Sequence, residues 1–167
     1  MAYLRSGAAQ VIPAAAAFTS EVGFMAYNTS LANWVSVAAN DECTFNTERY
    51  DIGSNFNHTS SGTNPSPYRF EAPATGLYYF FASIYTGYND ASSSYGFFLD
   101  GSKSTNLTGS GDQDWGHAAV NGATIDETMT MSAVYYLTSG EEISVGAFQT
   151  SNDFGPGESF FTGCRIW

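Results

Sequence analysis

The chain is expected to be all-β, an antiparallel sandwich of many short strands, and three observations lead there. Charged residues make up only 13% of its 167 residues while aromatics reach 16%; about a quarter charged is usual, and this aromatic, turn-rich composition suits short strands joined by tight turns. Turn dipeptides recur between apolar runs, at Asn89-Asp90, Asp100-Gly101 and Ser139-Gly140. The residues after Gly76 are apolar on both sides of a period-two alternation. At this length one domain suffices, and it buries about two-thirds of the surface that its unfolded chain exposes.

Taken in order, residues 1–20 read as an N-terminal arm and residues 21–167 as the domain. The first strands are expected over 22–27 and 34–45, with Asn40-Asp41 a turn or bulge inside the second. Residues 58–67 contain Gly62, Pro65 and Pro67 and should form a surface loop. The run FEAPATGLYYF, residues 70–80, holds a strand, a turn and the start of a long strand over 76–88 that Asn89-Asp90 ends. Residues 95–99 and 102–107 flank Asp100-Gly101 as a hairpin, because Asp-Gly takes the two positive φ values of a type I′ turn. A loop or short strand over 109–117, strands over 129–137 and 143–149, a turn over 152–157 and a last strand over 160–167 complete the reading.

The strand after Gly76 also bears on assembly. One face carries Tyr78, Phe80, Ala82 and Ile84, the other Leu77, Tyr79, Phe81 and Tyr85. A lone antiparallel sandwich keeps one face polar. The apolar excess at Tyr79, Phe81 and Tyr85 is therefore expected to be covered, most simply by further copies of the chain; packing under a loop of the same chain is the alternative.

At this point a resemblance enters. Phe70, Ala72, Pro73, Gly76, Tyr78 and Phe80 are similar to the F-x-A-P-x-x-G-x-Y-x-F core of the complement C1q globular-head family, one of the tumour-necrosis-factor-like jelly rolls. Tyr50-Asp51 and Gly53 with Phe56 resemble its Y-D-x-G-x-x-F segment. Leu137, Gly140, Glu141, Ile143 and Val145 resemble L-x-x-G-D-x-V-x-V, and Phe161-Thr162-Gly163-Cys164 stands where the family writes F-S-G-F. The likeness spans residues 20–167. It implies a C1q/TNF-like antiparallel jelly roll whose corresponding sheet packs around a three-fold axis, hence a homotrimer. Two departures are a polar insertion over 58–68, which removes the ground for carrying over a family ligand site built on that loop, and Ala82 in place of an aromatic.

Charge narrows the partners. Five basic residues against sixteen acidic ones give a formal net charge of −11. Nucleic acid and anionic membranes both need clustered Lys and Arg, so neither is expected as a partner. No apolar run is long enough to span a bilayer as a helix, and Gln10 and Pro13 interrupt the apolar stretch that a secretory signal would need. Sequons at Asn28, Asn57 and Asn106 are as frequent as chance allows in so Asn- and Ser/Thr-rich a chain.

No catalytic residue is expected. His58 and His117 lie in polar, turn-like surroundings, and no G-x-S-x-G elbow accompanies them. Asp112-Gln113-Asp114, Asp126-Glu127 and Glu141-Glu142 offer carboxylate oxygens to a hard cation but match no calcium-loop spacing, and solvated acidic turns are the expectation. Some C1q-like trimers bind calcium near their axis, so the resemblance leaves calcium open; no other cofactor is implied. Cys43 and Cys164 lack zinc-site spacing and are expected to be buried thiols, with a single bridge between them the alternative. Tyr88, Tyr95 and Trp115 are candidate loop aromatics for stacking on sugar rings, or for capping the barrel ends.

In the arm, Val11, Ile12, Pro13 and Phe18 form a compact apolar surface. Ordering it needs compensating contacts, and docking of a trimer onto a larger assembly such as a capsid would supply them; adding a strand to its own or a neighbouring subunit is the alternative. A trimerising head with a short arm and no collagen stalk is similar to the C1q-like structural proteins of tailed bacteriophages. The first functional expectation is thus a non-enzymatic virion protein, a capsid decoration protein or fibre knob at the virion surface, with a major capsid protein and a host-surface glycan as partners. The second is an extracellular or surface-attached binding module for glycans or proteins.

Overall fold

The computed structural model describes residues 22–29, 35–38, 41–86, 92–100, 117–121, 127–148 and 152–167. Among them lie ten strands and no helix: β1 (Gly23–Tyr27), β2 (Val35–Val37), β3 (Thr47–Ile52), β4 (Phe70–Glu71), β5 (Gly76–Thr86), β6 (Ser92–Leu99), β7 (His117–Asn121), β8 (Glu127–Leu137), β9 (Glu142–Ala147) and β10 (Asn152–Arg165). One sheet runs β3-β1-β10-β5-β8, with β2 pairing β10 beyond the end of β1; the other runs β4-β9-β6-β7. Every registered pair is antiparallel. The sandwich expected from composition and turn spacing is present.

Its core is a stack of rings. Phe24 of β1 lies against Phe56 (centroids 4.7 Å), Phe70 (5.1 Å) and Phe161 (4.8 Å). Tyr78, Phe80, Ala82 and Ile84, the predicted inner face of β5, are all fully buried. Gly163 of β10 makes room for these rings: a Cβ there would fall 2.5 Å from Phe80 and 2.9 Å from Phe24. Thr162 then turns outward, its hydroxyl donating to the Phe24 carbonyl at 2.6 Å.

Three sequence expectations are corrected. β3 stood outside the predicted strands because TERYDI is half charged, the composition that protects a sheet edge, and β3 is the edge. Residues 152–157 are not a turn: Asn152–Phe154 pair with β2, Phe154 and Gly155 pair with β5, and the glycines and Pro156 sit at a register break between Gly155 and Phe160. The hairpin partner assigned to Tyr95 and Gly96 is displaced, since β7 (Ala118, His117) and β9 (Ala147, Gly146) occupy both edges of β6 there. Asp100 does take a positive φ of 51°; residues 101–107 lie outside the described set. So does the arm, with Val11, Ile12, Pro13 and Phe18.

Candidate assembly face

The face of the β3-β1-β10-β5-β8 sheet turned away from the core is assembled by register. Gly23 pairs with both Ile52 and Cys164, Cys164 with Tyr79, and Tyr79 with Val134. These five residues lie abreast across five strands. The next row is Tyr50, Met25, Thr162, Phe81 and Ser132. Leu77 faces Tyr136 at one end of the face, and Tyr85 faces Thr128 at the other. Alternation alone puts them there, because their neighbours in sequence are the core residues.

The face is apolar and exposed. Tyr79 is 38% exposed, Ile52 45%, Val134 53% and Tyr136 61%. Phe81 and Tyr85 are half-buried, Phe81 because it stacks on Phe160 with centroids 5.6 Å apart. Among the described residues, no Asp, Glu, Lys or Arg occupies the registered outward positions of β1, β5 and β8, or of β10 from Phe160 onward, while Arg49 is exposed beside Tyr50 on β3. In a chain of net charge −11 that is a selective clearing of charge. Sequence reasoning found the β5 contribution; it missed Ile52, Val134 and Tyr136, whose strands read as a charged segment and as a Thr- and Ser-interleaved run.

Other expected site residues lie elsewhere. Tyr95, taken as a loop aromatic, is buried within β6 among the core side chains; the run SSSYGFFL is a buried strand whose serines mimic a loop. Tyr88 and Trp115 lie outside the described residues. His58 Nδ1 is 2.6 Å from Glu48 Oε1. His117 begins β7 opposite Gly96.

The acidic pairs brace turns. Glu141 Oε2 accepts from the Thr138 amide at 2.6 Å. Glu142 accepts from the Ser66 amide at 2.6 Å and from Arg69 Nη1 at 2.8 Å. Arg69 also reaches Glu42 at 2.9 Å; burial opposes its charge, but the two carboxylates outweigh burial and hold its pKa above the ordinary value. Among the described residues no group of three or more His, Cys, Asp or Glu could hold a metal ion; residues 112–114 and Asp126 lie outside them.

Both cysteines are free, Cys43 buried and Cys164 exposed. The expectation of two buried thiols therefore fails at Cys164, which alternation turns onto the outer face. Burial pushes the Cys43 thiol far above its usual range, and the Glu42 carboxylate adds to the shift.

No family profile matches the sequence, and no curated protein is similar to it. Solved structures are similar in shape. The globular domain of zebrafish complement 1qA is 13% identical, covering 87% of this chain and 98% of that one at a TM-score of 0.59. The fold is the C1q/TNF-like jelly roll. Eiger TNF from S. frugiperda (14% identical, 89% of this chain and 94% of that one, TM-score 0.57) and murine APRIL (11% identical, 87% and 99%, TM-score 0.60) share it. Among the described residues no helix is long and apolar enough to cross a membrane.

Proposed function

We propose that the chain is a non-enzymatic C1q/TNF-like binding module that works as a homotrimer, its copies joined through the outer face of the β3-β1-β10-β5-β8 sheet. The observation that carries this reading is the exposed, tyrosine-rich apolar face, with Tyr50, Ile52, Tyr79, Val134 and Tyr136, in an otherwise strongly acidic chain. Apolar area of this kind is stable in water only when covered. The family resemblance supplies three-fold closure as the way to cover it.

The finer proposal places the trimer on a virion, as a capsid decoration protein or fibre knob held by the apolar arm of residues 1–20. It rests on the resemblance to phage structural proteins and on the apolar composition of that arm. The likeness to complement and tumour-necrosis-factor domains favours a second setting, an extracellular module that recognises protein or glycan through its loops.

Light scattering of the purified chain is expected to give three times the chain mass at micromolar concentration, and a mass near 17.9 kDa overturns the trimer. Deleting residues 1–20 should leave a trimer that no longer co-sediments with particles. Unchanged particle binding refutes docking by the arm, and collapse of the trimer assigns the arm to the subunit interface.

A further inference from the structure

The edge strand β3 carries a bulge beside an open cavity. Glu48 and Asp51 are three residues apart, a spacing that sends side chains to opposite faces of a regular strand. The β1–β3 register shifts between Met25 and Ala26, leaving Arg49 as the extra residue of a bulge. Asp51 consequently stands opposite Phe24 and Glu48 opposite Ala26, two residues that face the core. The bulge has brought both carboxylates to the same, inward side of the sheet edge.

The insertion that follows curls over them and is internally braced. Asn57 Nδ2 donates to the Ser61 carbonyl (2.9 Å) and the Pro65 carbonyl (2.8 Å), and its Oδ1 accepts from the Thr59 amide at 2.9 Å. The base is closed by Asn57 N to Arg69 O (2.9 Å) and Tyr68 N to Asn57 O (2.7 Å). Between loop and strand edge is an open cavity of about 400 Å³, lined by Glu48, Asp51, Phe56, His58 and Asn64 among others.

Its chemistry is one-sided. Among the described residues no Lys or Arg lines it, and the Asn57 donors are taken by the loop itself. Asp51 Oδ2 accepts from the Phe56 amide at 2.9 Å, while its buried Oδ1 has no partner among the described residues. Glu48 Oε1 meets His58. We propose that this cavity binds an ammonium or guanidinium group, from a free polyamine or from a Lys or Arg side chain of a partner protein. An anion would face two carboxylates, and a neutral polyol would find few free donors. A cation gains charge-assisted hydrogen bonds and is drawn in by the acidic chain.

The test is an amide-shift NMR titration of the full chain with agmatine, with the peptide acetyl-Gly-Arg-Gly-amide, and with methyl glucoside as the neutral probe. Saturating shifts confined to residues 48–65 are expected with the cationic probes. Glu48→Gln should weaken them about tenfold, the worth of one hydrogen bond to a charged group. Tighter binding of the peptide assigns the natural cation to a protein side chain, and tighter binding of agmatine assigns it to a free polyamine. Shifts spread over the whole acidic surface, equal saturation by methyl glucoside, or an unchanged response in Glu48→Gln would overturn the proposal and leave the bulge and its inward carboxylates as protection against edge pairing. Should Glu48→Gln lose its native spectrum, Ser54→Arg puts a tethered guanidinium at the lining and must abolish the agmatine response; an undiminished response overturns the site.

Discussion

Cys43 and Cys164 are the same side chain under opposite constraints. Cys43 sits on a segment that extends the β9 edge, its amide donating to the Val145 carbonyl at 2.7 Å, and its thiol is fully buried. Because its folded pKa is raised, the folded state keeps a proton that the unfolded thiol releases above about pH 8.5. The stability this contributes is complete below that pH and is lost as pH rises toward the folded value, with a slope of about 1.4 kcal/mol per pH unit. Tyr78, also raised by burial, adds a loss of the same sign at higher pH. Denaturant melts of the wild type and Cys43→Ala between pH 8 and 10 should show the steeper fall in the wild type. Equal slopes would mean that the thiol ionises in place.

At the scale of elements, Arg69 ties three pieces together. It follows the insertion, precedes β4, and pairs with Glu42 and with Glu142 of β9, while Glu142 also holds the Ser66 amide. Arg69→Met leaves the buried Glu142 and the partly buried Glu42 carboxylates without their cation and should destabilise the fold by about 3 kcal/mol in urea melts. A loss below about 0.5 kcal/mol would place the pair among exposed bridges that contribute little. Elements were legible in the sequence where one force dominated. Alternation in β5 and β8, Gly140 with its φ of 93° and the run Phe161–Gly163 each carry a single strong local signal. β3 and the start of β10 were hidden because their strand state comes from partners distant in sequence: Asp51 is strand because Phe24 lies beside it, and Gly155 because Tyr85 does. The outer face was half visible for the same reason, since Ile52 and Val134 join Tyr79 only through pairings that no short window of sequence contains.

For the whole molecule, the proposed trimer predicts a separation between folding and assembly. Val134 and Tyr136 are more than half exposed, so burial within one subunit does not need them. Val134→Asp should keep the monomer's melting behaviour while placing a carboxylate in the seam, shifting light scattering from three chains to one. A trimer that survives Val134→Asp would move the interface off this sheet. Cys164 offers a parallel readout, because a thiol covered by a neighbouring copy should react with a maleimide at least tenfold more slowly in the wild type than in Val134→Asp.

The position of β10 has a consequence for how the chain matures. The last described strand to leave the ribosome lies between β1 and β5, joining Gly23 to Cys164 and Tyr79 to Cys164. Until it emerges, β1 and β5 each present an open, aromatic strand edge, and the ring stack around Phe24 lacks Phe161. Completion of the sheet is therefore a late, long-range event, the kind that folds slowly and exposes adhesive intermediates. A nascent chain stalled before residue 152 should be held by chaperones or lost to aggregation, whatever the stability of the finished protein.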